Sequence, residues 1–370
     1  MKIVCNREKF LNGFQIASAL VPTRSPRDIL NSIKVEALDG KVILMATDQE
    51  AGVRLELDDA EVQTPGKALL NVQRVGNILR ESSDETLTFE TASTSLDIHG
   101  QHSEFHLPLA NPDEFPNVGR FTEDSYFEMP AQLFREMVRR TVFATDTEST
   151  RYQLGGVLFE IDGDEITTVA TDGRRLATMK GKGKSVNGYR NQNTSTIVPT
   201  KQLNIIERSI SENDQTIQFA ARASDVMFRT DRCTLYCRLV EGRYPNWSMV
   251  IPSREGRTRI EGIAGPFFAA VRQASIVADP DSRGIEFTFG NGTLIVAART
   301  ADVGQSRIEI PISYNLEPIS ITMDYRYVLD FFKVLPPEKG FALDVKSNTE
   351  PALYSTDDEF RYVVMPMSRF

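Results

Sequence analysis

Apolar and polar residues form the same hairpin pattern three times along the chain. Each copy has an apolar strand, a turn containing Asp-Gly or Asn-Gly, and a second apolar strand, and the copies cover residues 33–48, 157–172 and 285–300. Glycine suits such turns because they hold residues at positive φ, which side chains with a Cβ resist. The turn glycines Gly40, Gly163 and Gly292 are 123 and 129 residues apart in a chain of 370. The pattern predicts three copies of one repeat.

Helical periodicity recurs at the same spacing. The stretches that open the repeats cover 7–21, 131–145 and 265–277, and the stretches in the middle of the repeats cover 69–82, 199–211 and 323–333. Each repeat also ends on a similar phrase, at 109–118, 241–250 and 361–370. We therefore predict an α+β fold in which each repeat packs two helices on antiparallel sheets of about eight strands. The predicted domains are 1–123, 124–252 and 253–370.

Composition favours a globular intracellular protein. With 41% hydrophobic and 25% charged residues the chain can bury several cores. The sequence contains no apolar stretch of the ~20 residues that a membrane helix needs, and its N-terminus has no apolar run typical of a signal peptide. The three cysteines, Cys5, Cys233 and Cys237, form no disulfide framework and favour a reducing cytoplasm. We interpret them as small buried side chains.

Positive charge is concentrated on the predicted helices. The formal net charge is −9, yet the six helical stretches together carry +6, which leaves −15 for the remainder. In 131–145 one half of the helical wheel is apolar, and Arg135 and Arg139 lie one turn apart on the other half. Similar cations on the other helices are Arg74, Arg80, Lys201, Arg208, Arg272, Arg326 and Lys333. Taken singly each is a solvated surface charge, but together they are typical of a face that meets phosphates without reading bases.

The chain shows no pattern typical of catalysis, of a metal site or of a cofactor site. The segment "GKGKS" (181–185) lacks the additional glycine of a phosphate-binding loop, and we predict a mobile hairpin loop there. Asp48 and Asp172 stand at equivalent positions of two repeats, where turn residues fit better than an acid–base pair. The histidines, clustered in one strand region with no further ligand nearby, are His99, His102 and His106.

The chain ends on "RYVVMPMSRF" (361–370), an apolar run that contains a proline. Two interpretations are open: a last strand buried in a core, or one wall of a groove that binds another protein's side chains. In either case Val364 points to the opposite side of the strand from its neighbours and belongs to the core.

Four segments together resemble one known family. They are "RYQLGGVLFE" (151–160), "VATDGRRLA" (169–177), "EGRYPNW" (241–247) and "YVVMPM" (362–367). The combination is similar to the bacterial sliding clamps, the β subunits of DNA polymerase III, and the resemblance covers the whole chain. It implies three similar domains per subunit and a head-to-tail homodimer, a ring of six domains with helices lining the hole. Such a ring encircles double-stranded DNA without sequence preference, has no catalytic activity and needs no cofactor.

The resemblance also implies site residues. A deep pocket for partner peptides would be formed by Leu154, Thr171, Leu176, Pro245, Val250, Val363 and Met365. An adjoining shallow site would be formed by Gly173, Arg174, Arg175, Pro366 and Met367. The dimer edge would involve Phe105, Leu107, Ile276 and Val277. The DNA contacts would include Arg24, Tyr152 and Gln153 beside the helix cations Arg74, Arg80, Arg135, Arg139, Lys201 and Arg208.

The implied partners are the catalytic subunit of the replicative polymerase, the ATP-driven clamp loader, and other proteins with a clamp-binding motif, such as repair polymerases, mismatch-repair proteins and ligase. No membrane is involved, and the protein would act in the cytoplasm, at the nucleoid during replication. Met249 and Arg174 depart from the usual family residues, and the tail "SRF" is slightly longer than usual. The alternatives are an acidic peptide-binding scaffold that never encircles DNA, an enzyme using Asp48 and Asp172, and a triplication kept for stability alone.

Overall fold

The computed structural model describes residues 1–57, 59–190 and 195–367. They divide into two compact units. The described residues of the first lie within 1–135, 161–164 and 182–240, and those of the second lie within 136–160, 165–181 and 241–367.

All six predicted helices are present in the described part of the chain. They are α1 (Arg7–Ser18), α2 (Val72–Glu81), α3 (Ala131–Thr141), α4 (Thr200–Ser209), α5 (Ala264–Ala274) and α6 (Tyr325–Lys333). Helix α2 begins later than its pattern because Asn71 caps it, accepting a hydrogen bond from the backbone N–H of Arg74. Asp324 caps α6 in the same way, accepting from Arg326. Such side chains satisfy N–H groups that have no partner inside the helix.

The strands of the first third of the chain are β1 (Lys2–Asn6), β2 (Ser32–Leu38), β3 (Lys41–Thr47), β4 (Ala51–Leu57), β5 (Ala60–Thr64), β6 (Gly66–Asn71), β7 (Thr86–Thr91), β8 (Ser95–His99) and β9 (Glu104–Pro108). The middle third contains β10 (Tyr126–Pro130), β11 (Gly156–Asp162), β12 (Glu165–Thr171), β13 (Arg175–Lys182), β14 (Lys184–Val186), β15 (Thr196–Pro199), β16 (Thr216–Ala221), β17 (Asp225–Arg229) and β18 (Cys233–Arg238). The last third contains β19 (Thr258–Ile263), β20 (Gly284–Gly290), β21 (Thr293–Thr300), β22 (Gly304–Pro311), β23 (Ile319–Asp324), β24 (Gly340–Val345), β25 (Ala352–Ser355) and β26 (Phe360–Val364). The three predicted hairpins are β2–β3, β11–β12 and β20–β21.

The first compact unit contains two antiparallel sheets, in the orders β5-β1-β7-β8-β9 and β14-β10-β16-β17-β18-β4-β3-β2-β6. Helix α1 packs on β3 and β4 of the larger sheet. That face is apolar, with Val35, Leu44 and Leu55 paired across neighbouring strands and fully buried. The opposite face carries a more polar row, in which Arg54 pairs with Thr234 and Thr234 with Arg229. This alternation is that of a sheet with one face on the core.

The second compact unit contains a sheet ordered β11-β12-β13-β26-β25-β24-β19 and a four-stranded sheet ordered β22-β21-β20-β23. Helices α5 and α6 pack against each other. The core beneath them is aromatic, with Phe331 stacked on Phe360 and Tyr362 at centroid distances of 5.4 and 5.7 Å. Strand β26 lies between β13 and β25, in the middle of its sheet rather than at an edge.

Two joints in the chain share one backbone pattern. In the first unit β4 pairs with β18, matching Ala51 with Cys237, and Arg238 N–H donates to the Glu50 carbonyl at 3.0 Å. In the second unit β13 pairs with β26, matching Arg175 with Val364, and Met365 N–H donates to the Arg174 carbonyl at 2.9 Å. We call these the first joint and the second joint.

The turns before the two joints are also equivalent. Asp48 Oδ1 accepts from the N–H groups of Glu50 and Ala51, and Asp172 Oδ1 accepts from those of Arg174 and Arg175. The interpretation of both aspartates as turn residues is confirmed.

The prediction of a mobile loop at 181–185 is wrong. Lys184–Val186 forms β14, which pairs with β10 through Glu128 and Phe127. A Cβ at Gly183 would overlap the Phe127 ring, so glycine permits this close approach. The histidine cluster is also only partly as expected, because His102 lies in the turn between the strands that carry His99 and His106. No helix in the described ranges is long and apolar enough to cross a membrane.

Candidate functional site

The predicted deep pocket has a buried apolar floor. Val363 is 1% exposed and lies opposite Leu176 in the β13–β26 pair, while Leu154 and Thr171 are also buried. Val364, opposite Arg175, is fully buried, in agreement with its prediction as a core residue. Adjacent residues of β26 thus face opposite sides of the sheet, as strand geometry requires.

The other residues predicted for the deep pocket are exposed and apolar. Met365 is 42% and Val250 45% exposed, and Pro245 is also exposed. Val250 ends the short 3₁₀ turn Trp247–Val250, in which Met249 is 80% exposed. Exposed large apolar side chains are typical of a binding surface rather than of a closed core.

Backbone hydrogen bonds fix the path of the chain after β26. Met365 N–H donates to the Arg174 carbonyl at 2.9 Å, and Met367 N–H donates to the Thr322 carbonyl at 2.8 Å. Pro366, between them, and Met367 are partly exposed. The described end of the chain is thus held in place while the side chain of Met365 stays accessible. Residues 368–370 of the tail lie outside the described part.

The turn beside this segment is held by its own side chains. Gly173 has a φ of +87°, which favours glycine, and its N–H donates to Thr171 Oγ1 at 3.0 Å. Thr171 Oγ1 donates in turn to the Arg175 carbonyl at 2.6 Å. Gly173 and Arg174 are exposed.

Arg175 differs from its neighbour Arg174 because its side chain is directed into the protein. It is 10% exposed and donates to Asp172 Oδ2 at 3.0 Å, to Asp330 Oδ2 at 2.6 Å and to the Phe143 carbonyl at 2.7 Å. The guanidinium also lies 4.5 Å from the centroid of the Tyr327 ring. Sequence reasoning grouped Arg175 with the shallow site and did not identify Asp330, Phe143 or Tyr327 as its partners.

The predicted DNA-contacting residues differ in exposure and in ion pairing. The exposed ones are Arg24, Arg74, Arg80, Arg139, Lys201 and Arg208, and Tyr152 is exposed as well. Arg135 is half-buried and pairs with Glu207 at 3.0 Å, and Gln153 is half-buried. Lys201 Nζ lies 3.8 Å from Asp48 Oδ2, in a long ion pair. Part of the positive charge on the helices is therefore neutralised within the protein.

The predicted dimer residues lie at the ends of two sheets. Phe105 and Leu107 are half-buried on β9, the last strand of the five-stranded sheet. Ile276, 78% exposed, and Val277 form a 3₁₀ turn after α5 that contacts β22, the last strand of the four-stranded sheet. Thr300 Oγ1 donates to the Val277 carbonyl at 2.7 Å and fixes that turn.

Comparison with known proteins gives three consecutive domain matches. The family models for the DNA polymerase III beta subunit match residues 1–119 with the N-terminal domain, 128–246 with the central domain and 248–368 with the C-terminal domain. No described group of three or more His, Cys, Asp or Glu residues could hold a metal ion.

Similar proteins agree with these matches. A beta sliding clamp from Pseudomonas aeruginosa is 26% identical over 99% of this chain and 100% of its own length, and one from Halalkalibacterium halodurans is 27% identical over 91% of each chain. A crystal structure of the DNA polymerase III subunit beta from Pseudomonas aeruginosa bound to griselimycin has a TM-score of 0.86 at 24% identity, covering 100% of both chains. Because the matched domains follow one another over nearly the whole sequence, the chain belongs to the DNA polymerase III beta subunit family.

Proposed function

We propose that this DNA sliding clamp, a non-catalytic processivity subunit, works as a head-to-tail homodimer that encircles double-stranded DNA. The three consecutive family domains carry this proposal, because they extend over nearly the whole chain. A peptide-binding scaffold that never surrounds DNA is not favoured. The domain boundaries at 123 and 252 stay a prediction.

The charge distribution suits a contact that holds DNA without fixing it in place. A protein that neutralised many phosphates would bind tightly and with a steep dependence on salt. Here the exposed cations Arg74, Arg139 and Arg208 lie on helices, whereas Arg135 is paired with Glu207. A weakly positive lining within an acidic protein allows duplex DNA to slide while the remaining surface repels it.

The dimer would form between the two predicted edges. Strands β9 and β22 each end a sheet, so each has backbone N–H and C=O groups on one side that a second copy of the chain can pair. Phe105 and Leu107 on one edge, and Ile276 beside the other, supply apolar area for burial. A closed arrangement of two copies would satisfy both edges.

The surface around Val363 and Met365 would bind short partner peptides that contain glutamine and leucine. Each apolar side chain buried there contributes about 1.5–3 kcal/mol, and flexible methionines adapt to different peptides. The Pseudomonas aeruginosa structure bound to griselimycin supports a ligand site on this fold. The proposed partners are the replicative polymerase subunit, the clamp loader and other proteins with the motif, met in the cytoplasm at the nucleoid.

Loading on nicked circular DNA tests the ring. Labelled protein is loaded with its loader and ATP, free protein is removed on a sizing column, and half of the sample is then cut with a restriction enzyme. We expect retention on circles and loss from linear DNA. Equal retention on both forms would show ordinary adhesion and would overturn the encircling dimer.

A further inference from the structure

A second candidate binding site lies on the more polar face of the large sheet in the first compact unit. The cavity has a volume of about 350 Å³. Its lining includes Leu38 and Ile43 from the β2–β3 hairpin, Arg54 from β4, Arg229 from β17, and Arg120, together with Lys41 and the carboxylates of Glu36 and Asp39. The cations outnumber the carboxylates, so the pocket combines a positive charge with an apolar wall on a protein whose net charge is −9.

Arg54 is the buried member of this cluster, and its ion pair with Glu36 is long. Its side chain is 11% exposed, and its nearest carboxylate oxygen, on Glu36, is 3.8 Å away. Glu36 is shared with Lys34 at 3.4 Å and with Lys67 at 4.0 Å. Burial and then the neighbouring charge of Arg120 lower the pKa of Arg54. An anion between the two arginines would relieve this repulsion.

The other two arginines keep donors available. Arg229 Nε donates to Gln218 Oε1 at 2.6 Å, and the guanidinium lies 4.5 Å from the centroid of the Phe121 ring. Arg120 is exposed. Within residues 1–57, 59–190 and 195–367, neither arginine has an ion pair with a carboxylate. Guanidinium groups match carboxylates and phosphates in a planar, two-point geometry.

The apolar wall distinguishes between these anions. Leu38 is 43% exposed and Ile43 is half-buried. Free phosphate would use the arginines alone, whereas a peptide that carries a carboxylate beside an apolar side chain would use both surfaces. We propose that this pocket is a docking site for an acidic segment of a partner protein. Its carboxylate pairs with Arg54 and Arg120, and its apolar side chain lies on Leu38 and Ile43.

The pocket lies on the same strand pair, β4–β18, as the first joint. In that pair Arg54 lies opposite Thr234, two residues along from Gly52 and Tyr236, which also lie opposite each other. In the second joint the counterparts of Gly52 and Tyr236 are Leu176 and Val363. The pocket thus shares no residue with the proposed peptide groove, and its proposal does not depend on that groove.

Methyl NMR on the full-length, deuterated protein tests this docking site. The probe is an acetylated and amidated tripeptide of sequence Glu-Leu-Glu, with the Gln-Leu-Gln tripeptide and inorganic phosphate as comparisons. We expect saturable shifts of the Leu38 and Ile43 methyl signals with the acidic tripeptide. Neither comparison should reproduce them at equal concentration. Arg120→Gln should weaken binding by about three-fold or more.

Arg27→Gln is the matched control, because Arg27 is an exposed arginine of the same compact unit that does not line the pocket. It should leave the affinity unchanged. Arg54→Met provides a second test, because it should also lower the affinity for the acidic tripeptide. A dispersed methyl spectrum would establish that this variant folds. Equal binding of the Gln-Leu-Gln tripeptide, full competition by phosphate, or unchanged affinity in both pocket variants would each overturn the proposal.

Discussion

Arg175 Nη1 and Asp330 Oδ2 lie 2.6 Å apart in an ion pair that connects strand β13 to helix α6. Both side chains are largely buried, and the same guanidinium also binds Asp172 and the Phe143 carbonyl. Leu176 follows Arg175 directly in β13 and forms part of the buried floor. The ion pair therefore positions the strand that carries the floor, while Arg174 stays at the surface.

Arg175→Met should destabilise the protein and weaken binding at the groove. It leaves the Oδ2 atoms of Asp172 and Asp330 without their guanidinium partner, while Lys333 still pairs with Asp330 Oδ1. Removing one member of a buried pair costs about 3–5 kcal/mol. Urea unfolding should show a lower midpoint, and peptide affinity should fall as well. Arg174→Gln, a change at the exposed neighbour, should leave the free energy of unfolding within about 0.5 kcal/mol of the parent. An unchanged midpoint in Arg175→Met would contradict the positioning role.

Met365→Ala should reduce the affinity for a clamp-binding peptide about ten-fold without affecting the fold. Its side chain is 42% exposed, so little core packing is lost. Truncation at residue 363 is a poorer test, because Val363 and Val364 belong to β26. Fluorescence anisotropy with a labelled peptide measures the change. Leu316→Ala, which truncates an exposed leucine of the same compact unit, is the control, and equal losses in both variants would count against the groove.

Ile276→Arg should convert the dimer to monomers. The side chain is 78% exposed in the single chain, so the substitution should be tolerated by the monomer fold, yet it would bring an unpaired charge into the proposed interface. Analytical ultracentrifugation should show half the mass of the parent. Leu316→Arg introduces the same charge at a site that is 69% exposed and outside the predicted edge, and it should remain dimeric. A dimeric Ile276→Arg would show that the edge lies elsewhere.

The protein should lose stability in acid because Asp358 then becomes protonated more readily in the unfolded state than in the native state. Burial acts to raise its pKa, but hydrogen bonds from Arg140, Thr356 and Lys339 outweigh this effect and hold the pKa well below its usual range. The carboxylate therefore stabilises the fold fully above the unfolded-state pKa of about 4. That stabilisation is lost progressively as the pH falls below this value towards the lower native-state pKa, because the unfolded state then takes up a proton that the native carboxylate does not bind.

Urea unfolding between pH 6 and pH 3 measures this loss, and Asp358→Asn should show a smaller dependence on pH than the parent. Asp357→Asn is the control, because its side chain is 82% exposed and pairs only with Lys339 among the described residues. A parent and an Asp358→Asn variant with identical pH profiles would rule out Asp358 as the source.

Local patterns predicted the fold because its elements are set by nearby residues. The turn glycines Gly40, Gly163 and Gly292 all adopt positive φ, as a two-residue hairpin turn requires. The Arg175–Asp330 pair could not be predicted in this way, since its members are 155 residues apart and no periodicity relates them. The error at 181–185 has the same origin. Glycine and lysine favour a loop locally, but pairing with β10 imposes a strand.

Resemblance to a family suggested the groove residues, and the structure adds a division among them that sequence alone did not give. Val363 and Leu176 are interior residues, whereas Met365 and Val250 are accessible. Their roles in binding stay a prediction, as do those of the helix cations and of the dimer edge.

The two joints share one backbone arrangement but differ in the side chains that cover them. At the first joint Gly52 leaves room for the ring of Tyr236, and Val118 packs beside it, so the chain fills this opening with its own side chains. At the second joint Leu176 faces Val363, and the chain turns away at Met365, which stays accessible. A partner peptide would thus occupy in one copy the place that an internal tyrosine occupies in the other.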